Sequence, residues 1–237
     1  LIDQFFFNGE KHYLLYRHGR DHHLLPHAIN YRANVIAIKK LGVKVVLATA
    51  AVGSLRKDLA PGTFLIPDQL IDWTRQRPLT FFDGAGAPVA HLDFSQPFCP
   101  RLRERFLSRL FRLGFSPEPS ACYACTEGPR YETGAEVKAL AALGADIVGM
   151  TVATEAVLFR EAEVCYAVVA VVANYAAGIS PHPLTHHEVE TMMQERAKAM
   201  ADLLALILAD ADWSDCSCQK VWDPSPEPRH WLFRLSQ

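Results

Sequence analysis

Thr126-Glu127-Gly128-Pro129-Arg130-Tyr131-Glu132-Thr133, followed after an apolar-periodic run by Asp146-Ile147-Val148-Gly149-Met150-Thr151 and closed by Glu155, decides how the chain reads. Gly128-Pro129 predicts a rigid bend. Tyr131 sets a flat apolar face beside Glu132, a carboxylate that needs a donor if it is buried. Residues 135–143 carry helical spacing, and Gly144 supplies the stop. Residues 147–150 read as a buried strand that ends on the hydroxyl of Thr151 and passes into a second helix. Open α/β folds put ligands at such strand ends. Taken alone, Glu127-Gly128-Pro129-Arg130 reads equally well as a charged turn.

Outward from this stretch, the bulk properties narrow the class. The chain has 237 residues, half of them hydrophobic, and a formal charge of −2. That suits one α/β unit with a sizeable core. With no basic block, neither nucleic acid nor a membrane surface is an expected partner. No apolar run reaches the roughly 18–20 residues of a membrane span, and no signal peptide is visible, so a cytoplasmic location is expected. Of the six cysteines, Cys122 and Cys125 have redox or zinc spacing but lie in a strand-like run. Residues three apart on a strand face opposite ways, and no second pair completes a metal site. They read as core thiols, and no metal is expected. Cys216 and Cys218 read as more exposed, either disulfide-bonded or free.

Before the central stretch, Leu1-Ile2-Asp3-Gln4 runs abruptly into Phe5-Phe6-Phe7 without an initiator Met. An N-terminal strand is expected to be missing, with room for a lost loop between Gln4 and Phe5. A strand over 12–16 leads into Arg17-His18-Gly19-Arg20, a cationic cluster suited to an oxyanion. A helix over 32–41 precedes a continuous apolar strand over 43–49, as a strand buried on both faces requires. The small residues Ala50-Ala51-Val52-Gly53-Ser54 then let backbone N–H groups approach an anion, although the Lys-Ser/Thr of a nucleotide P-loop is absent. A strand over 63–67 and a long polar and aromatic loop to Gly86 follow, with His91 beyond it. Loops this long are usually functional or interfacial. Next come a helix over 101–113 and a strand over 121–125. Beyond the central stretch lie a helix over 152–163 and a strand over 165–172 that ends at Ala173-Asn174-Tyr175-Ala176. Thr185-His186-His187-Glu188 is a capping box opening the longest helix, to about Leu208. The tail from Trp213 reads as packed on a neighbour or partly loose.

Tyr31-x-Ala33-Asn34, Gly53-Ser54-Leu55, Asp68-Gln69 with Ile71-Asp72, Thr74 and Arg77-Pro78, Phe82-Asp83-Gly84, Pro97-Phe98-Cys99-Pro100, Glu127-Gly128-Pro129-Arg130, and Met150-Thr151 with Glu155 occur in order. Together they resemble the 5′-methylthioadenosine phosphorylase branch of the trimeric purine nucleoside phosphorylases, over about residues 16–208. The resemblance implies an α/β fold with a twisted, mixed but mainly parallel sheet flanked by helices. It also implies a single catalytic domain over 1–212 with a tail over 213–237, and a homotrimer with sites at subunit interfaces. No cofactor is implied, since inorganic phosphate is a co-substrate. The family's Gly-rich phosphate loop would precede Leu1.

The resemblance also sorts residues into sub-sites. Arg17, His18, the Ala51 backbone and the Thr151 hydroxyl match the phosphate site, while Ala50 stands where close relatives have Thr. Met150 matches the residue under the ribose, with His22 as a candidate for a ribose hydroxyl. His91 matches a histidine lent by a neighbouring subunit to the 5′ pocket. His186 falls where inosine-cleaving relatives have His and methylthio enzymes have Val. Tyr131, Glu132 and Asn174 match the base site, with Glu132 and Asn174 as its catalytic pair. Methylthioadenosine enzymes have Ser and Asp at those two positions, and a second Asp in place of Ala176. A 6-oxopurine presents an N1–H that Glu132 can accept, and Asn174 can donate to N7 or O6 as the base leaves. The activity expected is phosphorolysis of 5′-methylthio purine nucleosides, with a base site suited to 6-oxopurines. A general inosine and guanosine phosphorylase, a hydrolytic nucleosidase and a non-catalytic nucleoside-binding protein remain alternatives.

Overall fold

The computed structural model describes residues 1–180, 182–209, 216–223 and 225–235. The chain opens as an antiparallel hairpin, β1 (Ile2–Phe7) and β2 (Glu10–Leu15). Gln4 and Phe5 are consecutive residues of β1, pairing with Tyr13 and His12. The six-stranded sheet is built from β3 (Val45–Ser54), β4 (Phe64–Leu65), β5 (Gln69–Asp72), β6 (Cys122–Cys125), β7 (Ile147–Gly149) and β8 (Cys165–Tyr175), in the order β4-β8-β3-β7-β6-β5. The pairs β3–β8, β5–β6 and β6–β7 are parallel, while β3–β7 and β4–β8 are antiparallel. This is the mixed, mainly parallel single-domain sheet that the resemblance implies.

Flanking it are α1 (Tyr31–Lys40), α2 (Pro100–Arg112), α3 (Gly134–Ala142), α4 (Val152–Glu161), α5 (His186–Leu208) and α6 (Glu227–Leu235). The first nine positions of β8 are buried, which a strand covered on both faces demands. Helices α2, α4 and α5 all pack on it. Capping boxes start α3, from Thr133 to Glu136, and α5, from Thr185 to Glu188.

Two strands run further than expected. β3 continues through Ala50 to Ser54, and β8 through Asn174 to Tyr175. Their register continues across a bulge at Val52/Gly53, so that Gly53 pairs with Asn174. Small side chains there admit β7 on the other side of β3: a Cβ on Gly53 would stand 3.3 Å from Val148. The segment 50–54 is therefore the C-terminal end of β3, which sets Ala51 on β3 near Asn174 on the adjoining β8.

The tail also departs from expectation. Its start at Trp213, and the end proposed for the catalytic domain at 212, lie outside the described residues. Beyond them, the Trp222 indole N–H donates to the Glu161 carbonyl at 2.8 Å, and Arg229 forks onto Glu163 at 2.7 and 2.6 Å. The Trp231 indole reaches the Phe81 carbonyl at 3.0 Å. These described parts are thus docked on their own chain. Cys216 and Cys218 are buried, not exposed; their burial comes from this docking, which local polarity does not encode. Among the described residues, no helix is long and apolar enough to cross a membrane.

Candidate active site

The C-terminal ends of β3 and β8, the N-terminus of α4, the 128–132 turn and the start of α5 close around a cleft of about 1760 Å³. Arg17, His18, His22, Ala51, Tyr131, Glu132, Met150, Thr151, Asn174 and His186 all line it. Of the residues singled out in the sequence, His91 alone is elsewhere. It is exposed on the long segment between β5 and α2, and within one chain it does not reach the cleft.

Arg17 is fixed by two contacts. Its Nε donates to Glu155 Oε1 at 2.7 Å and its Nη1 to the Thr49 carbonyl at 2.9 Å. The other Glu155 oxygen accepts from the Tyr166 hydroxyl at 2.6 Å. Burial works against the guanidinium, but the Glu155 carboxylate more than offsets it and holds Arg17 above its ordinary pKa. Among the described residues Nη2 has no partner, so one face of the fork remains for an anion in the cleft. Since N–H and C=O groups two residues apart on a strand share an edge, Ala51 turns its N–H to the edge that Thr49 shows to Arg17. Thr151 is the N-cap of α4, yet its hydroxyl makes no capping bond. Hydroxyl and helix N-terminus together favour negative charge at this point.

His18 Nδ1 lies 2.8 Å from the Leu24 carbonyl, and its ring stacks on His22 at 4.4 Å. Burial, against a smaller opposing pull from the Leu24 bond, lowers its pKa from 6.5 to about 4, with His22 and Arg17 adding to the fall. Folded His18 is therefore neutral where the unfolded chain would be taking up protons. Its contribution to stability is present above pH 6.5 and is lost as pH falls through about 4. Wild-type melting temperature should drop more steeply across that window than that of His18→Asn. Parallel pH curves for the two proteins would contradict this.

Around the flat part of the cleft, Glu132 is buried and accepts from the Thr126 hydroxyl at 2.5 Å. Arg130 does not compete for it, because its guanidinium is held by Glu136 through two 2.8 Å bonds. Glu127 is also drawn off the site. It accepts from Arg77 Nε at 2.8 Å and from the backbone N–H of Arg75 at 2.6 Å, clamping the long segment. Asn174 uses one amide hydrogen on the Tyr175 carbonyl at 3.0 Å, and an amide nitrogen has a second to give. Met150 lies over Gly128, where a Cβ would meet its sulfur at 2.6 Å; Gly128 also sits at φ +65°, so side chains are excluded there twice over. A Cβ on Gly149 would fall 1.9 Å from the Tyr123 hydroxyl, so glycine lets β7 approach β6 here.

Five contributors carry no role in the sequence reading: Glu155, Tyr166, Thr126, Tyr123 and Glu190. Glu190 stands 3.5 Å from His186 one helical turn on. Glu155 had a legible signal: a carboxylate among the apolar positions of α4 has to find a cation or donor. Tyr166 and Thr126 had none, since their partners are set by tertiary packing.

The sequence profile of the phosphorylase superfamily matches residues 4–209. A probable 6-oxopurine nucleoside phosphorylase of Thermococcus kodakarensis is 52% identical over 203 residues, 84% of this chain and 76% of the relative. A probable S-methyl-5′-thioinosine phosphorylase of Thermodesulfovibrio yellowstonii is 45% identical over 191 residues, 80% of this chain and 71% of the relative. Among solved structures, a methylthioadenosine phosphorylase from Schistosoma mansoni in complex with adenine superposes with a TM-score of 0.86 at 28% identity. That match covers 98% of this chain and 86% of the other.

Proposed function

The chain belongs to the phosphorylase superfamily and is a purine nucleoside phosphorylase; within that class we propose that it cleaves 6-oxopurine nucleosides, with inosine and guanosine first. The observation that carries this reading is buried Glu132, oriented by Thr126 and left to the cleft because Arg130 is held by Glu136. A carboxylate there accepts the N1–H of hypoxanthine or guanine and repels the bare N1 of adenine. Asn174 donates its remaining amide hydrogen to N7 or O6 as the departing base gathers negative charge. Phosphate rests on Arg17, the Thr151 hydroxyl, the Ala51 N–H and the α4 N-terminus, while neutral His18, whose Nδ1–H is spent on the Leu24 carbonyl, offers Nε2 as acceptor to the P–OH of a monoprotonated phosphate. One of its oxygens bonds to C1′ as the C1′–N9 bond breaks, giving the free purine and a pentose 1-phosphate. The anion below the ring stabilises the oxocarbenium-like sugar, so positioning and preorganised charge carry the rate.

The 5′ end supports two readings. His186, paired with Glu190 and near His22, is a polar partner for a 5′-hydroxyl. Leu184, Val189 and Met193 on the same wall suit a 5′-methylthio group, which keeps methylthioinosine as the second substrate. Base release from inosine, methylthioinosine, adenosine and methylthioadenosine, each with and without phosphate, tests the reading. Hypoxanthine release that requires phosphate is expected. Phosphate-independent release, or faster adenine release, would contradict it. His91, exposed and remote from its own cleft, fits a homotrimer in which it serves a neighbour's 5′ pocket. Light scattering should then give three times the chain mass, and a monomer mass would rule the arrangement out.

A further inference from the structure

We propose that Cys99, Cys165, Cys216 and Cys218 form a tetrahedral zinc site that fastens the C-terminal segment to the core. All four thiols are free and buried, and their sulfur atoms lie within 4.8 Å of one another. They come from three separate places. Cys99 is the N-cap of α2, Cys165 is the first residue of β8, and Cys216 and Cys218 sit on the short turn at Ser217–Gln219. Four thiolates bound about 2.3 Å from one zinc stand roughly 3.8 Å apart. Cys99 Sγ and Cys216 Sγ are 3.7 Å apart.

The surroundings fit a tetrathiolate. Such a site carries net negative charge and is steadied by outer donors. Arg160 Nη1 points at Cys218 Sγ and Gln219 Nε2 at Cys165 Sγ, each at 3.7 Å. Cys99 stands at the positive end of a 13-residue helix, which favours its thiolate. An all-sulfur, closed, four-coordinate donor set selects zinc over the hard cations that prefer oxygen.

The site is structural rather than catalytic. None of the four cysteines lines the cleft. Cys165 and Asn174 stand at opposite ends of β8, nine residues or roughly 30 Å apart at about 3.3 Å per residue. The segment the metal would fasten carries Trp222, Arg229 and Trp231, which lock onto Glu161, Glu163 and Phe81. Zinc would therefore hold both the tail and the long segment beneath it. The Cys-x-Cys spacing with two isolated partners hides the set in the sequence, where paired Cys-x-x-Cys spacings are the usual sign.

The full chain, purified under reducing conditions from zinc-supplemented cells, should hold about one zinc per chain. Replacement by cobalt should give the sulfur-to-metal charge-transfer and visible bands of a tetrahedral tetrathiolate. Cys218→Ser should lose most of the metal, and Cys122→Ser, outside the cluster, should keep it. Chelation should lower the melting temperature. If Cys218→Ser fails to fold, the wild-type zinc content and cobalt spectrum still decide. Wild-type chain that binds no zinc, or that shows fewer than six free thiols when denatured without reductant, overturns the proposal.

Discussion

Arg17→Ala should lower kcat/KM for phosphorolysis by about 10³, most of it visible when phosphate is varied, because one preorganised charge aimed at the anion is lost. The reason lies in how the guanidinium is held. Glu155 and the Thr49 carbonyl fix its plane, and Tyr166 fixes Glu155. The chain thus bears the cost of ordering Arg17 during folding rather than during the reaction. Removing Arg17 also strands the Glu155 carboxylate, and breaking a buried pair costs about 3–5 kcal/mol. Arg17→Lys therefore serves as the companion variant: it keeps the charge but lacks the planar fork that spans Glu155, the Thr49 carbonyl and the anion at once. Both should lose phosphate affinity, the lysine variant less. If saturating phosphate restored full turnover to Arg17→Ala, its role would reduce to binding. If phosphate KM did not move in either variant, the anion would lie elsewhere.

Asn174→Asp should lower the ratio of inosine to adenosine turnover, measured as kcat/KM, by about 10² or more. A site whose buried polar groups match one hydrogen-bonding pattern rejects the other by up to about 10⁴. The Asn174 amide donates to Tyr175 O and retains a second hydrogen for the base. An aspartate there offers only acceptors, which suit a 6-amino group or a protonated N7 and oppose O6. Glu132→Gln is the complementary change, replacing a carboxylate with an amide that can turn either way. Its loss should fall on 6-oxopurines, with Thr126 still able to orient it. A substrate ratio unchanged in both variants would remove these two residues as the selectors.

Much of this was legible because the signals are local. The apolar run of β8, the capping box at Thr185–Glu188 and the glycine stop after α3 depend on residues within a turn or two of one another. The grouping of Arg17 with His18 follows from residue type at a strand end, whereas Glu132 and Asn174 are paired only through the family resemblance. What escaped was set at a distance. β3 and β8 extend past their apolar cores because each completes the other's ladder across the bulge. Arg130 and Glu127 belong to the central charged turn, and the partners that hold them, Glu136 and Arg77, become visible only in the fold. Cys216 and Cys218 look exposed because their neighbours are polar; what buries them is contact with Cys99 and Cys165, far away in the sequence. The sequence shows that Glu155 needs a cation or donor, but its partners Arg17 and Tyr166 appear only when strand, helix and loop meet.

A crystal structure of the protein with hypoxanthine and phosphate tests the central claim most directly. Phosphate is expected within hydrogen-bonding distance of Arg17 Nη2 and Thr151 Oγ1, with N1 of the base on the Glu132 carboxylate and N7 or O6 on the Asn174 amide. Phosphate bound away from Arg17, or a base ring whose edge meets neither Glu132 nor Asn174, would contradict it.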